Sequence, residues 1–150
     1  MAIKQKIAIV SNTAWSIFNF RLNLAKAIEK EGYKVIIIAP YDKYAEKIRH
    51  IFEYYDIFIN NKGTNPREDI NTIWQFLRLY RKIKPSVILH FTIKPNIYGT
   101  LTANMLRIKT INNITGLGSV FVKGGKTARI IKKLYAVSYT HLRAHETSLH

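Results

Sequence analysis

Two runs of uninterrupted apolar residues, Ile7-Ala-Ile-Val10 and Val35-Ile-Ile-Ile38, constrain this chain more than anything else in it. A strand with one face to water alternates apolar and polar residues. An unbroken run reads instead as a strand covered on both faces, as in the middle of a parallel sheet. Between the runs lies a predicted helix over residues 18–30, with Leu24 and Ile28 one turn apart and Gly32 as its stop. Strand, helix and strand in roughly 35 residues make a βαβ unit, whose crossover is almost always right-handed.

The alternation continues. A short basic helix is expected over 43–52 and a weaker strand over 55–59, followed by the turn-rich loop Asn60-Asn-Lys-Gly-Thr-Asn-Pro66. Asn65 caps the next helix, Pro66 suits its first position and Glu68 stands three residues after the cap. That helix runs to residue 83, and its stripe of Ile70, Ile73, Trp74 and Leu77 reads as a core face. Strands follow at 86–91 and 109–114, a helix opens at Pro95, and a basic helix covers 126–136. Strands alternating with helices predict an α/β fold: one Rossmann-like, doubly wound parallel sheet in a single domain.

Composition narrows the function classes. A chain of 150 residues with 47% apolar content and a mean hydropathy of −0.09 is ordinary globular material, and no apolar run approaches a membrane span. The amino terminus enters a strand directly, without the pattern of a signal peptide, so a cytoplasmic protein is expected. With no cysteine, disulfides and thiolate chemistry are excluded. The net charge is +15, and it is unevenly spread: thirteen Lys and Arg follow Asp69, against Glu146 as the single acid. Such a surface is either plain basic solubility or a match for an anionic partner, whether nucleic acid, anionic lipid or a phosphorylated substrate.

Several chemistries fail on their motifs. The turn after the first strand, Ser11-Asn-Thr-Ala-Trp-Ser-Ile-Phe-Asn-Phe-Arg21, has no glycine to let a pyrophosphate approach the backbone, which argues against NAD or FAD. Gly125-Lys-Thr127 ends like a phosphate-binding loop, but Val120 stands where its first glycine belongs. There is no nucleophile elbow, and the candidate loops hold no carboxylate pair. Neither aromatic-studded strands nor a recognition helix supports nucleic acid, which rests on charge alone.

What is left are the loops beyond the strand ends, where open parallel sheets bind ligands. Asn12, Thr13, Trp15, Asn19 and Arg21 follow the first strand, and Lys62, Gly63, Thr64 and Asn65 precede the long helix. His90, Thr92, Lys94 and Asn96 follow the fourth strand; Asn112, Asn113, Thr115, Gly116 and Gly118 follow the fifth. Amide, hydroxyl and main-chain donors with few competing charges suit hydroxyl and phosphate oxygens. Arg21, Lys62 and Lys94 can offset a diphosphate. Bland readings stand beside these: Arg21 as a helix surface residue, His90 as a hydrogen-bonded strand-end histidine, the two asparagines as strand caps, and 115–118 as a plain turn.

At Asn12-Thr-Ala-Trp-Ser-Ile-Phe-Asn-Phe-Arg21, Asn61-Lys-Gly-Thr-Asn-Pro66, Thr92-Ile-Lys-Pro-Asn-Ile-Tyr-Gly99 and Asn112-Asn-Ile-Thr-Gly-Leu-Gly-Ser-Val-Phe121, the chain resembles the amino-terminal domain of family 4 glycosyltransferases of the GT-B fold. It looks most like the branch that extends polyprenyl-diphosphate-linked oligosaccharides. The resemblance implies a two-domain retaining enzyme moving a sugar, an N-acetylhexosamine, from a nucleotide-sugar to a lipid-diphosphate-linked saccharide. In that picture residues 1–136 form the acceptor half, and the carboxylates that contact the donor lie in a second half. It further implies no cofactor, no metal and no catalytic residue within this half, with the protein peripheral on an anionic membrane surface through basic helices such as 43–52 or 126–136. The chain departs from many such sequences in lacking a Gly-Gly pair after the first strand, and in carrying Asn112, Asn113 or Thr115 where a histidine is common.

Residues 137–150 have no period and hold three of the five histidines, at 141, 145 and 150. Their spacing mimics a metal cluster, but the segment resembles translated sequencing-adapter sequence and is expected to be a non-native tail. Two further classes stay open at this point: a non-catalytic α/β module for an anionic or phosphorylated ligand, and a basic nucleic-acid-binding domain.

Overall fold

The first apolar run pairs with the second in register. In the computed structural model, which describes residues 4–63 and 65–113, β1 (Lys6–Val10) lies parallel to β2 (Lys34–Ala39), with Ile7 beside Val35 and Val10 beside Ile38. β2 pairs with β3 (Glu53–Asp56), β1 with β4 (Val87–His90), and β4 with β5 (Lys109–Asn112), all parallel. The sheet order is β3-β2-β1-β4-β5. Period-2 alternation sends Ala8, Val10, Ile36, Ile38 and Ile88 into one core, while Ile9, Val35, Ile37 and Ala39 enter a second core on the opposite face. Both faces are therefore covered, which is why the runs are unbroken. The doubly wound parallel sheet expected from the sequence is the one observed.

Helices reach the two cores from separate segments. After β1, Thr13 caps α1 (Ala14–Ser16), its hydroxyl accepting from the Ser16 amide at 3.1 Å. The helix then widens into a π-helical turn, Ile17–Arg21, before α2 (Leu22–Lys30). It thus begins earlier than residue 18, because the cap lies at Thr13; of the pair one turn apart, Ile28 packs against the core and Leu24 is exposed. Gly32 stops α2 with φ +100°. α3 (Ala45–Arg49) is shorter than the expected 43–52, since Asp42 accepts from the Tyr44 amide at 2.8 Å and holds 42–44 as a turn. These elements pack on one face of the sheet.

β3 lies earlier than predicted. Ile57 and Ile59 are buried, but the chain has left the ladder by then: the Phe58 amide donates to Gln75 Oε1 at 2.8 Å, and its carbonyl accepts from Thr72 Oγ1 at 3.1 Å. Side chains of α4 (Pro66–Ile83) take over from a neighbouring strand. Asn65 caps α4 as expected, accepting from the Arg67 and Glu68 amides. The buried face of α4 is a correction. It is Asp69, Thr72, Phe76, Tyr80 and Ile83, whereas Ile70 is 56% and Trp74 63% exposed. Two polar residues on the inner face hid it from an apolar-stripe reading.

After β4 comes a second π-helical turn, Pro95–Gly99, leading into α5 (Thr100–Met105), and β5 closes the described part. α4 and α5 cover the opposite face from α1–α3. The predicted helix 126–136 and the tail 137–150 lie outside the described residues. No described helix is long and apolar enough to cross a membrane.

Candidate functional site

Connections run outward in opposite directions from β1 and β4, which are neighbours in the sheet. The crevice between such strands, beyond their carboxyl ends, is where this architecture takes ligands. A cleft of about 440 Å³ sits there, lined by Asn12, Arg21, Asn61, Gly63, Thr92, Ile93 and Lys94. Three sequence segments meet in it: the turn after β1, the loop before α4 and the turn after β4.

The backbone around the cleft is irregular in three places. Both π-helical turns flank it, and wide turns of this kind recur at functional sites. Thr92 has φ +73°, a left-handed conformation that a β-branched residue rarely adopts. Strain of this order, about 1–3 kcal/mol, persists only where surrounding structure enforces it. The enforcement is visible. The Phe91 amide donates to the Val10 carbonyl at 2.8 Å, and the Asn96 amide donates back to the Thr92 carbonyl at 3.1 Å.

Charges in the cleft divide into committed and uncommitted. Lys94 Nζ donates to the Gly63 carbonyl at 2.6 Å and pairs with Asp69 Oδ1 at 3.0 Å, in a setting where both side chains are largely enclosed. Tyr98 donates its hydroxyl to the other Asp69 oxygen at 3.0 Å, and burial with this bond holds its pKa up at about 12. Lys94 therefore ties the 60–65 loop to the turn after β4. Arg21 has no such tether. The ion pairs among the described residues are Lys34–Glu53, Arg49–Glu46 and Lys94–Asp69, and Arg21 is in none. Its guanidinium lies over the Phe91 ring, 4.2 Å from the centroid.

Behind the cleft a polar chain crosses the core. Asn112 Oδ1 can only accept, so His90, at 2.9 Å, carries its proton on Nδ1; Nε2 then accepts from the Tyr80 hydroxyl at 2.7 Å. Thr100 also donates to Asn112 Oδ1, at 3.0 Å. Burial drives the His90 pKa down to about 4 against the opposing pull of the Asn112 bond, and it drives that of Tyr80 well up. His90 is a neutral, enclosed connector at neutral pH. Gly99 passes directly over it: a Cβ there would lie 2.2 Å from His90 Nε2 and 3.0 Å from the Tyr80 oxygen.

Residues 6–145 match the family described as Glycosyl transferase 4-like. The chain belongs to the glycosyl transferase 4-like family. A curated relative, the N,N'-diacetylbacillosaminyl-diphospho-undecaprenol alpha-1,3-N-acetylgalactosaminyltransferase of Campylobacter jejuni, is 24% identical over 140 residues, covering 89% of this chain. The chain spans 37% of that relative's length. Among solved structures, MurG of Acinetobacter baumannii is similar with a TM-score of 0.59 at 17% identity, over 72% of this chain and 33% of that one. A UDP-GlcNAc 2-epimerase of Neisseria meningitidis bound to UDP-GlcNAc gives a TM-score of 0.64 at 16% identity, over 95% and 44% respectively. At these identities the structures share the fold with this glycosyl transferase 4-like chain.

Of the residues singled out in the sequence, the glycosyl transferase 4-like fold brings Asn12, Arg21, Gly63, Thr92 and Lys94 to one cleft. Others hold its walls. Thr13 and Asn65 cap helices, Asn19 donates to the Trp15 carbonyl at 2.9 Å, and the Trp15 amide donates to Asp42 Oδ2 at 2.9 Å. Lys62 is exposed on the rim. His90 is fully enclosed; Asn96, also buried, donates its side-chain amide to the Asn113 carbonyl, and the Asn113 amide donates to the His90 carbonyl at 3.0 Å. Asn112 is held by His90 and Thr100. Thr64, Thr115, Gly116 and Gly118 lie outside the described residues. Sequence reasoning missed Asp69, Phe91 and Tyr98. Asp69 stands in the first turn of α4, where the helix dipole favours an acid in any case, and the one signal for its inward place is the 69-72-76-80-83 spacing.

Proposed function

We propose that this chain is the acceptor-side domain of a glycosyltransferase that moves a sugar from a nucleotide-sugar to a lipid-diphosphate-linked saccharide. The observation that carries the reading is the cleft at the β1–β4 switch point, with Arg21 and Asn12 turned into it. The family and the Campylobacter relative, whose acceptor is a diphospho-undecaprenol sugar, support it. The donor proposed is a UDP-N-acetylhexosamine, held by a second domain beyond this chain. An α-linked product from an α-configured donor means net retention, and this domain contributes positioning and charge rather than a base. In this reading the nucleotide-sugar is consumed as substrate and no resident cofactor is needed.

A lipid-linked acceptor also asks for a route to the membrane, and α4 offers one. Arg67, Ile70, Trp74, Leu77, Arg78 and Arg81 share a single helical stripe with no acid on it. Ile70 and Trp74 are exposed, and a shallow groove of about 390 Å³ runs along Trp74, Leu77, Arg78 and Arg81. Apolar and aromatic side chains among arginines suit an anionic bilayer interface, each cation contributing about 1 kcal/mol. This stripe is proposed in addition to the basic helix α3, where Lys47 lies over the Phe18 and Tyr44 rings at 5.2 and 5.5 Å.

The test is transfer by the full-length parent protein, using UDP-N-acetylgalactosamine or UDP-N-acetylglucosamine with a polyprenyl-diphosphate-linked sugar. Product is expected from the parent and none from this chain alone. No product from the parent with either donor would refute the function, and turnover by this chain alone would refute the division of labour.

A further inference from the structure

We propose that Arg21, laid on Phe91, is the oxyanion-binding side chain of the cleft, and that its ligand is a diphosphate rather than a sugar hydroxyl. The proposal deepens the reading above and rests on it only for which molecule carries the diphosphate. Two other cations stand near, and the geometry separates them. Lys94 is neutralised by Asp69 and gives a second hydrogen bond to the Gly63 carbonyl, and Lys62 stands exposed on the rim. Arg21 is half-buried, lines the cleft and joins no ion pair among the described residues.

The mounting of Arg21 is what selects the ligand. The guanidinium carbon lies over the Phe91 ring, 4.2 Å from its centroid, and a guanidinium held over a ring keeps N–H groups to offer to two oxygens of a phosphate. Phe91 is itself nearly buried, so the platform is fixed. Arg21 is the last residue of the π-helical turn, at φ −120° and ψ −1°, where the chain returns to α geometry. Phe91 immediately precedes the strained Thr92. Both partners of the stack thus sit beside irregular backbone of the cleft. Asn12 also lines the cleft and brings a side-chain amide, its main-chain carbonyl being used by Asn61 Nδ2 at 2.9 Å.

The experiment is calorimetric titration of this chain at fixed ionic strength with inorganic pyrophosphate, UDP and farnesyl diphosphate. Arg21→Gln, Arg21→Lys and Phe91→Leu are compared with Lys30→Gln, which removes one exposed charge from the end of α2 outside the cleft. Pyrophosphate affinity should fall at least 10-fold in Arg21→Gln and at least 3-fold in Arg21→Lys and Phe91→Leu, with Lys30→Gln within 2-fold of the unsubstituted chain, differences of about 1.4 kcal/mol per decade. Arg21→Lys keeps the charge and guards against a folding artefact in Arg21→Gln. Absence of pyrophosphate binding, equal loss in Lys30→Gln, or undiminished binding in Arg21→Lys would overturn the proposal. Tighter binding of farnesyl diphosphate than of UDP assigns the subsite to the lipid-linked acceptor. The reverse order overturns the acceptor-side reading while leaving the role of Arg21 intact.

Discussion

Replacing Gly99 with alanine tests the buried connector behind the cleft without touching the cleft itself. The added methyl would stand 2.2 Å from His90 Nε2 and 2.5 Å from its Cδ2, well inside van der Waals contact, and 3.0 Å from the Tyr80 oxygen. The imidazole cannot retreat freely, because Asn112 holds its other nitrogen at 2.9 Å and the ring is enclosed by Phe76 and Tyr80. Overpacking of a filled core costs about 1–3 kcal/mol. Parting Tyr80 from His90 leaves a buried donor and acceptor unmet, for about 1–3 kcal/mol more. The expected loss is therefore about 4 kcal/mol, a large part of a domain's ~5–15 kcal/mol, with a fall in Tm of roughly 8–16 °C. Urea unfolding followed by circular dichroism measures it. Gly32→Ala is the comparator: nothing lies within 4 Å of its Cβ, so only the φ of +100° acts, worth about 1–2 kcal/mol. A Gly99→Ala protein within 1 kcal/mol of the parent, or no worse than Gly32→Ala, would refute the reasoning.

Three other outcomes are expected. Because burial holds the His90 pKa at about 4, below the unfolded value of ~6.5, the unfolded state binds the extra proton; this contribution to stability is complete above pH ~6.5 and lost as pH falls towards 4, about 3 kcal/mol in all. Urea midpoints between pH 4 and 7 should show a shallower slope in His90→Gln, and equal slopes would count against it. Trp74→Ala should leave stability within about 0.5 kcal/mol yet weaken sedimentation with phosphatidylglycerol vesicles; unchanged sedimentation would remove the α4 stripe from membrane docking. Asn65→Ala should cost about 1 kcal/mol through the lost cap, and a neutral result in chemical denaturation would contradict the Asn65 contacts to the Arg67 and Glu68 amides.

The parts of the fold legible in the sequence were those written in local chemistry. Unbroken apolar runs marked β1 and β2, Asn65-Pro66 marked the start of α4, and Gly32 marked the end of α2. Where local chemistry and tertiary context conflict, the reading slipped. Trp74 and Ile70 form an apolar stripe that faces outward, while Asp69 and Thr72 turn inward because each finds a partner there: Lys94 and Tyr98 for the carboxylate, the Phe58 and Glu68 carbonyls for the hydroxyl. The cleft was half legible. Loops beyond strand ends point to Asn12, Arg21, Thr92 and Lys94, but sequence alone leaves the cations equivalent. Only distances separate a lysine bound by Asp69 from an arginine resting on Phe91, because the partners lie 25 and 70 positions away along the chain.

The π-helical turn at Ile17–Arg21 also bears on how this domain tolerates change in length. Such a turn is an α-helix carrying one surplus residue, so deleting a residue within it offers the chain a regular helix from α1 into α2. That helix would be locally more favourable. It would also rotate one half against the other by about 100°, so that the Thr13 cap, the packed face of α2 and Arg21 over Phe91 could not all keep their places. A single-codon deletion is thus expected to divide folding from ligand binding, leaving a well-formed helix with its arginine aimed away from the crevice. Lineages that keep this crevice are expected to keep the odd residue as well, even where its side chain changes freely.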